Sequence, residues 1–107
     1  MTQPISPDAC TTMAQVRTGV DALDRQLVAL LATRFGYMRA AARIKAERGQ
    51  VRDEGRKRQV IEQAVAVAQA AAIPSDAVAA MWETLVEASI AYELTEWDRR
   101  RANGDGA

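Results

Sequence analysis

Residues 12–48, TMAQVRTGVDALDRQLVALLATRFGYMRAAARIKAER, hold no proline and only two glycines, and their apolar side chains recur at helical spacing. Met13, Val16, Val20, Leu23, Leu27, Leu30, Leu31, Met38, Ala41 and Ile44 form one stripe, which predicts a single first helix over about 12–48. Gly49 supplies the expected stop, because glycine enters the left-handed conformation that ends helices without a Cβ penalty. A helix of about 35 residues is roughly 50 Å long, whereas a compact chain of this size has a radius of gyration of about 13 Å. Such a helix overhangs its own domain, and a second copy of the chain is the economical cover for its stripe. The reading is therefore a homodimer.

Outward from that stretch, Asp53 can cap a second helix over about 53–72, with Glu54 suited to its first turn and Val60, Ile61, Ala64, Val65 and Ala68 on its inner face. Pro74 then breaks the chain and Ser75 can cap a third helix over about 75–101, marked by Val78, Met81, Trp82, Leu85, Val86, Ile90 and Trp97. Residues 103–107 read as a frayed tail. The fold expected is all-α: one domain over 1–107, three helices with a long first one, in an intertwined homodimeric bundle.

Composition agrees and narrows the chemistry. Apolar residues make up 49% of the chain but aromatic ones only 5%, a helix-favouring mixture. Fourteen basic residues balance fourteen acidic ones, so the overall field recruits neither nucleic acid nor an anionic membrane. One cysteine and no histidine exclude an intramolecular disulfide, a Cys/His zinc site and Ser-His or Cys-His catalysis. Cys10 reads as structural, and Arg99, Arg100 and Arg101 as a cationic last turn suiting the helix dipole. Residues 1–8 lack the basic and apolar regions of a secretory leader, and no apolar run spans a bilayer, so a cytoplasmic protein is expected.

Polar residues on the apolar stripes point to a site. Leu27, Arg34, Met38 and Lys45 stack along one narrow face, with Arg34 and Lys45 three turns apart. On the third helix Ser89 and Glu93 continue the stripe of Val78, Trp82 and Leu85. Two cations, a hydroxyl and a carboxyl in an apolar bundle are costly unless paired with one another or with a ligand, which is the pattern of an anion site in a bundle core. Each residue also has a plain reading. Arg34 and Lys45 can snorkel to solvent, Glu93 can pair with a lysine or arginine, and Ser89 can bond its own helix backbone. A bundle with no site satisfies the periodicity as well.

The run Val16-Arg17, Val20-Asp21, Leu23-Asp24, Leu27 to Leu31, Arg34 and Ala42-Arg43-Ile44-Lys45 resembles the first helix of the all-helical (AroQ-class) chorismate mutases. The likeness continues through Val51-Arg52-Asp53 and Arg56 to Ser89 and position 93, and spans Cys10 to Trp97. Cys10-Thr11 with Arg17, and Glu96-Trp97 at the other end, more closely resemble the isochorismate-pyruvate lyase branch of salicylate biosynthesis, which shares the fold. The resemblance implies an entwined dimer with two equivalent sites for a small dicarboxylate, each closed by Arg17 from the partner chain. Arg34 and Arg56, with that Arg17, would grip the two carboxylates as guanidinium forks. Lys45 would donate to the ether oxygen, and Asp53 and Ser89 would orient the ring hydroxyl and a carboxylate.

The implied activity is the Claisen rearrangement of chorismate to prephenate, a shikimate-pathway step toward aromatic amino acids. Isochorismate-pyruvate lyase is the alternative, and a non-catalytic helical dimerisation or regulatory module a third. The rearrangement is intramolecular and needs no nucleophile, cofactor or metal; restraint and electrostatic stabilisation suffice. Two positions depart from the family pattern. Glu93 stands where most members carry glutamine beside the ether oxygen, so it must be protonated with substrate bound if it is to donate there. Lys57 stands where typical mutases place a glutamate that meets the ring hydroxyl, a change compatible with weaker mutase activity, with the lyase, or with an amino-substituted chorismate.

Overall fold

The computed structural model describes residues 4–104. Among them every regular element is helical: α1 (Met13–Ile44), α2 (Glu54–Ala70) and α3 (Ser75–Ala102), with short 3-10 turns at Pro7–Ala9 and Arg48–Gln50. No helix is long and apolar enough to cross a membrane. The chain divides into two compact units, one reaching Gly36 and the other starting at Tyr37.

In the first unit α1 opens on a reciprocal cap. Thr12 Oγ1 accepts from the Gln15 backbone N–H at 3.2 Å, while Gln15 Oε1 accepts from the backbone N–H of Thr12 at 3.2 Å and of Thr11 at 2.7 Å. The N-terminal donors of a helix lack intrahelical partners, and this box satisfies several at once. The apolar stripe beyond it is uncovered in the single chain: Val20, Leu23, Leu27 (56% exposed) and Leu30 (66%) all face outward. An apolar groove of about 450 Å³ between the N-terminal segment and α1 is lined by Ile5, Cys10, Val16, Val20 and Leu23, among others.

The second unit carries the buried cluster. Val51, Val86 and Ile90 form its centre, with Val60, Ile61, Trp82, Leu94 and Trp97 packed against it. Asp53 caps α2 as its sequence suggests, Oδ1 accepting from the Arg56 backbone N–H at 3.0 Å.

Two boundaries differ from those expected. The first helix ends at Ile44 rather than near Arg48, and Gly49 lies inside the 3-10 turn instead of stopping it. The reason is tertiary: carbonyls of the last turn are taken by side chains of α3, as described below. Ser75 is the first residue of α3 and not its cap, because Pro74, already extended at ψ 109°, occupies the half-in position and its carbonyl accepts from the Val78 N–H at 3.2 Å. Asn103 and Gly104 form a turn, and 105–107, like residues 1–3 of the expected leaderless N-terminus, lie outside the described residues.

α2 closes with Ala72 in the left-handed region at φ 57°. The Ala72 N–H donates to the Gln69 carbonyl and the Ile73 N–H to the Ala68 carbonyl, both at 3.1 Å, the paired bonds of a Schellman ending with alanine where glycine is usual. Left-handed backbone costs an L-residue roughly 1–2 kcal/mol. Ala72→Gly is therefore expected to stabilise the chain by about 1 kcal/mol after glycine's greater unfolded-state entropy is deducted. Denaturant unfolding at fixed protein concentration checks it, and an unchanged or lower midpoint contradicts it.

Candidate active site

Burying a carboxylate among apolar helices requires a cation within reach. Glu93 is 4% exposed on α3, and Lys45, the residue just past α1, supplies that cation: its Nζ lies 2.7 Å from Glu93 Oε2. Ser89, also 4% exposed, sits one turn earlier on the same face of α3. Its hydroxyl donates to the Leu85 carbonyl at 2.7 Å. A half-buried ammonium thus meets a buried carboxyl where the end of α1 meets α3, with a buried hydroxyl one turn away on the same α3 face.

The backbone of Lys45 is held by the same helix. Trp97 Nε1 donates to the Lys45 carbonyl at 3.1 Å, and Arg101 Nη2 donates to that oxygen too. Arg101 Nη1 reaches the Ala42 carbonyl at 2.9 Å, and the guanidinium lies 4.2 Å from the centre of the Trp97 ring. The three arginines stand in the last turn of α3 as expected, but Arg101 also reaches back to carbonyls at the end of α1, while Arg99 and Arg100 lie beside Glu96. The signal that identifies these groups is spacing: Glu93, Trp97 and Arg101 follow at steps of four and share one face.

Asp53 and Arg56 stand together in the first turn of α2. The Asp53 carboxylate caps the Arg56 backbone, and the exposed Arg56 guanidinium donates to Gln59 Oε1 at 2.7 Å. Arg17 is exposed and Arg34 half-buried; both belong to the first unit. Cys10 is half-buried there, its Sγ 3.8 Å from the Ile5 carbonyl. Among the described residues no group of three or more Cys, Asp or Glu side chains is placed to hold a metal ion.

Lys57 is engaged on another flank. Its Nζ lies 2.8 Å from both Glu83 Oε1 and Glu87 Oε2, and its side chain is 16% exposed. Arg52 forks onto Glu87 at 2.8 and 3.0 Å and also meets Glu54 at 2.8 Å. At about 100° per residue, Glu83 and Glu87 lie roughly a third of a turn around α3 from Ser89 and Glu93. Lys57 thus ties the start of α2 to α3, away from the Lys45–Glu93 pair.

Residues 16–94 match the family model described as chorismate mutase type II. The chain belongs to that family. A curated relative, the isochorismate pyruvate lyase of Pseudomonas aeruginosa, is 24% identical over 96 residues, covering 90% of this chain and 95% of that protein. For a chorismate mutase type II chain, the position of Lys45 at the tip of α1 and of Ser89 and Glu93 on the buried face of α3 makes this junction the candidate active site.

The flanking network gives a pH prediction. Hydrogen bonds from Arg52 first, then Lys57, hold the Glu87 carboxyl down at about 2, below its ordinary 4.5. A depressed carboxyl contributes stability that is complete above its unfolded value and is lost as pH falls through its folded one. The thermal midpoint of the wild type should therefore drop between pH 4.5 and about 2 more steeply than that of Glu87→Gln. Parallel curves would show that the network contributes nothing to folding.

Proposed function

We propose that the chain is a chorismate mutase, rearranging chorismate to prephenate in two equivalent sites of an entwined homodimer made of single domains spanning 1–107. The observation that carries the reading is the pairing of half-buried Lys45 with buried Glu93, one turn from Ser89, in a chain of the chorismate mutase type II family. The uncovered stripe of α1 supports the dimer, since exposed apolar area of that extent favours burial against a second copy.

Chemically the site has little to do but hold and polarise. The substrate carries two carboxylates and reacts within itself, one C–O bond breaking as one C–C bond forms, with no proton transferred. Arg34 and Arg56, with Arg17 of the partner chain, grip the carboxylates and hold the reactive conformer, an entropic contribution. Asp53 and Ser89 orient the ring hydroxyl and a carboxylate. Negative charge grows on the ether oxygen as the bond breaks, and the Lys45 ammonium meets it there. Glu93 helps only as a neutral donor, so substrate has to part the ion pair and leave the acid protonated.

The second reading is isochorismate-pyruvate lyase, which releases pyruvate and leaves salicylate. Two observations favour it: the end-to-end likeness to the Pseudomonas aeruginosa lyase, and Lys57, which meets Glu83 and Glu87 instead of presenting a carboxylate. Purified protein incubated separately with chorismate and isochorismate is expected to yield prephenate from the first; salicylate from the second alone would select the lyase. Arg34→Ala should lower kcat/KM by about a hundredfold or more while the dimer survives in sedimentation, as expected for losing a charged contact to a substrate carboxylate. A variant that keeps its turnover would remove Arg34 from the site, whereas a wild type that turns over neither compound points to a non-catalytic dimerisation module.

The protonation requirement has its own test. Wild-type kcat/KM should decline as pH rises, whereas Glu93→Gln, whose amide donates at any pH, should hold level. Superimposable profiles would remove the neutral-donor role.

A further inference from the structure

A lysine just beyond a helix end is poorly placed to put its ammonium at one point. The last turn of a helix leaves carbonyls without intrahelical partners and tends to fray, and a lysine adds a flexible four-carbon stem. Lys45 stands in that position: α1 ends at Ile44, and the Lys45 N–H makes the closing bond to the Ala41 carbonyl at 2.9 Å. No glycine follows to end the helix in the usual way. Lys45 nonetheless meets Glu93 at 2.7 Å.

α3 supplies what the helix end lacks. Glu93, Trp97 and Arg101 lie on one face at steps of four, and all three act on Lys45. Glu93 takes the ammonium, Trp97 Nε1 and Arg101 Nη2 take its backbone carbonyl, and Arg101 Nη1 takes the Ala42 carbonyl one turn back. Ala42 is fully buried, so its oxygen has little water to turn to. Arg101 in turn stacks over Trp97, which orients the guanidinium. Side chain and backbone of one residue are thus fixed by three residues of one helix.

We propose that Trp97 and Arg101 are positioning residues for Lys45: they latch the end of α1 so that the ammonium is already aimed when a substrate oxygen develops charge. The role rests on the function proposed above. Such stabilisation depends on donors held in place: the ammonium exchanges Glu93 for substrate, but the backbone that carries it need not move, and a misplacement of about 1 Å can cost about a hundredfold in rate. Loss of one latch bond should therefore lower kcat by about tenfold. KM should move less, because the arginines that hold the carboxylates act in ground and transition states alike.

The test combines Trp97→Phe, which keeps the ring and loses the indole N–H, and Arg101→Met, which keeps the stem and loses the donors. Each is made in the wild type and in Lys45→Gln. Expected is a fall in kcat of about tenfold in the wild-type background that vanishes in Lys45→Gln, since a group acting through Lys45 has nothing left to act on. A fall that persists in Lys45→Gln, or no fall, overturns the proposal. Lysine-selective ¹⁵N NMR gives a second readout that needs no turnover. The chain has two lysines, Lys45 and Lys57, so each variant in the wild-type background shows two ammonium signals, with Lys57 as internal control. The Lys45 signal should move toward that of free lysine in both variants and Lys57 should stay. An unmoved Lys45 signal overturns the latch. A wild type inactive on both chorismate and isochorismate sinks the proposed function alone, and the NMR result then decides the latch by itself. Should Arg101→Met fail to fold, Trp97→Phe carries both measurements.

Discussion

A carboxylate cannot be left alone in the interior of a helical unit, and much of the second unit follows from where Glu93 finds its cation. Transferring that charge out of water is costly enough that removing one partner of a buried pair typically costs about 3–5 kcal/mol. Lys45 is the partner, so the end of α1 is brought to the middle of α3. Once there, its carbonyls need donors, and the next two turns of the same α3 face provide them through Trp97 and Arg101. An electrostatic requirement at one residue thereby sets a helix boundary several residues away from the glycine that would otherwise have marked it.

That dependence explains what could be read from the chain beforehand. Helix existence and inner faces follow from local spacing, which is why the three helices and the interruption of the core stripe by Ser89 and Glu93 are visible in residues 12–101. Asp53 as a cap is also local, needing only a carboxylate three residues ahead of an N–H. The end of α1 is different in kind. Gly49 looks like a stop because the local signal is genuine, but acceptors at Ala42 and Lys45 are claimed by residues more than fifty positions distant, which no local pattern contains. Ala72 is the converse case: a left-handed residue without the glycine that signals it, sustained by two backbone bonds and by Pro74 shortly beyond. The reach of Arg101 was hidden by its neighbours, since three consecutive arginines read as one cationic last turn until their partners separate them.

The candidate site divides along the same line. Lys45, Glu93 and Ser89 are drawn together by burial in the second unit, where the forces are those of its own packing. Arg17 and Arg34 lie on a helix whose apolar side is uncovered, so their roles depend on the partner chain invoked in the proposed function. A chain that is 49% apolar yet leaves Leu27 and Leu30 mostly exposed has placed much of its hydrophobic potential on a face it does not bury itself. Assembly and a complete set of arginines would then be one event, which suits a site closed by a residue from a second copy.

The two lysines show how local charge balance separates a site from a brace. Around Lys57 the ion pairs join Lys57 and Arg52 to Glu54, Glu83 and Glu87, so the Lys57 ammonium already faces two carboxylates. Lys45 faces a single carboxylate, Glu93, in its ion pair. Like charges disfavour approach and opposite charges favour it, most strongly where water is scarce. On the proposed function a small dicarboxylate meets the less occupied ammonium at the junction of α1 and α3, while Lys57, near Arg56 in the first turn of α2, fastens two helices together.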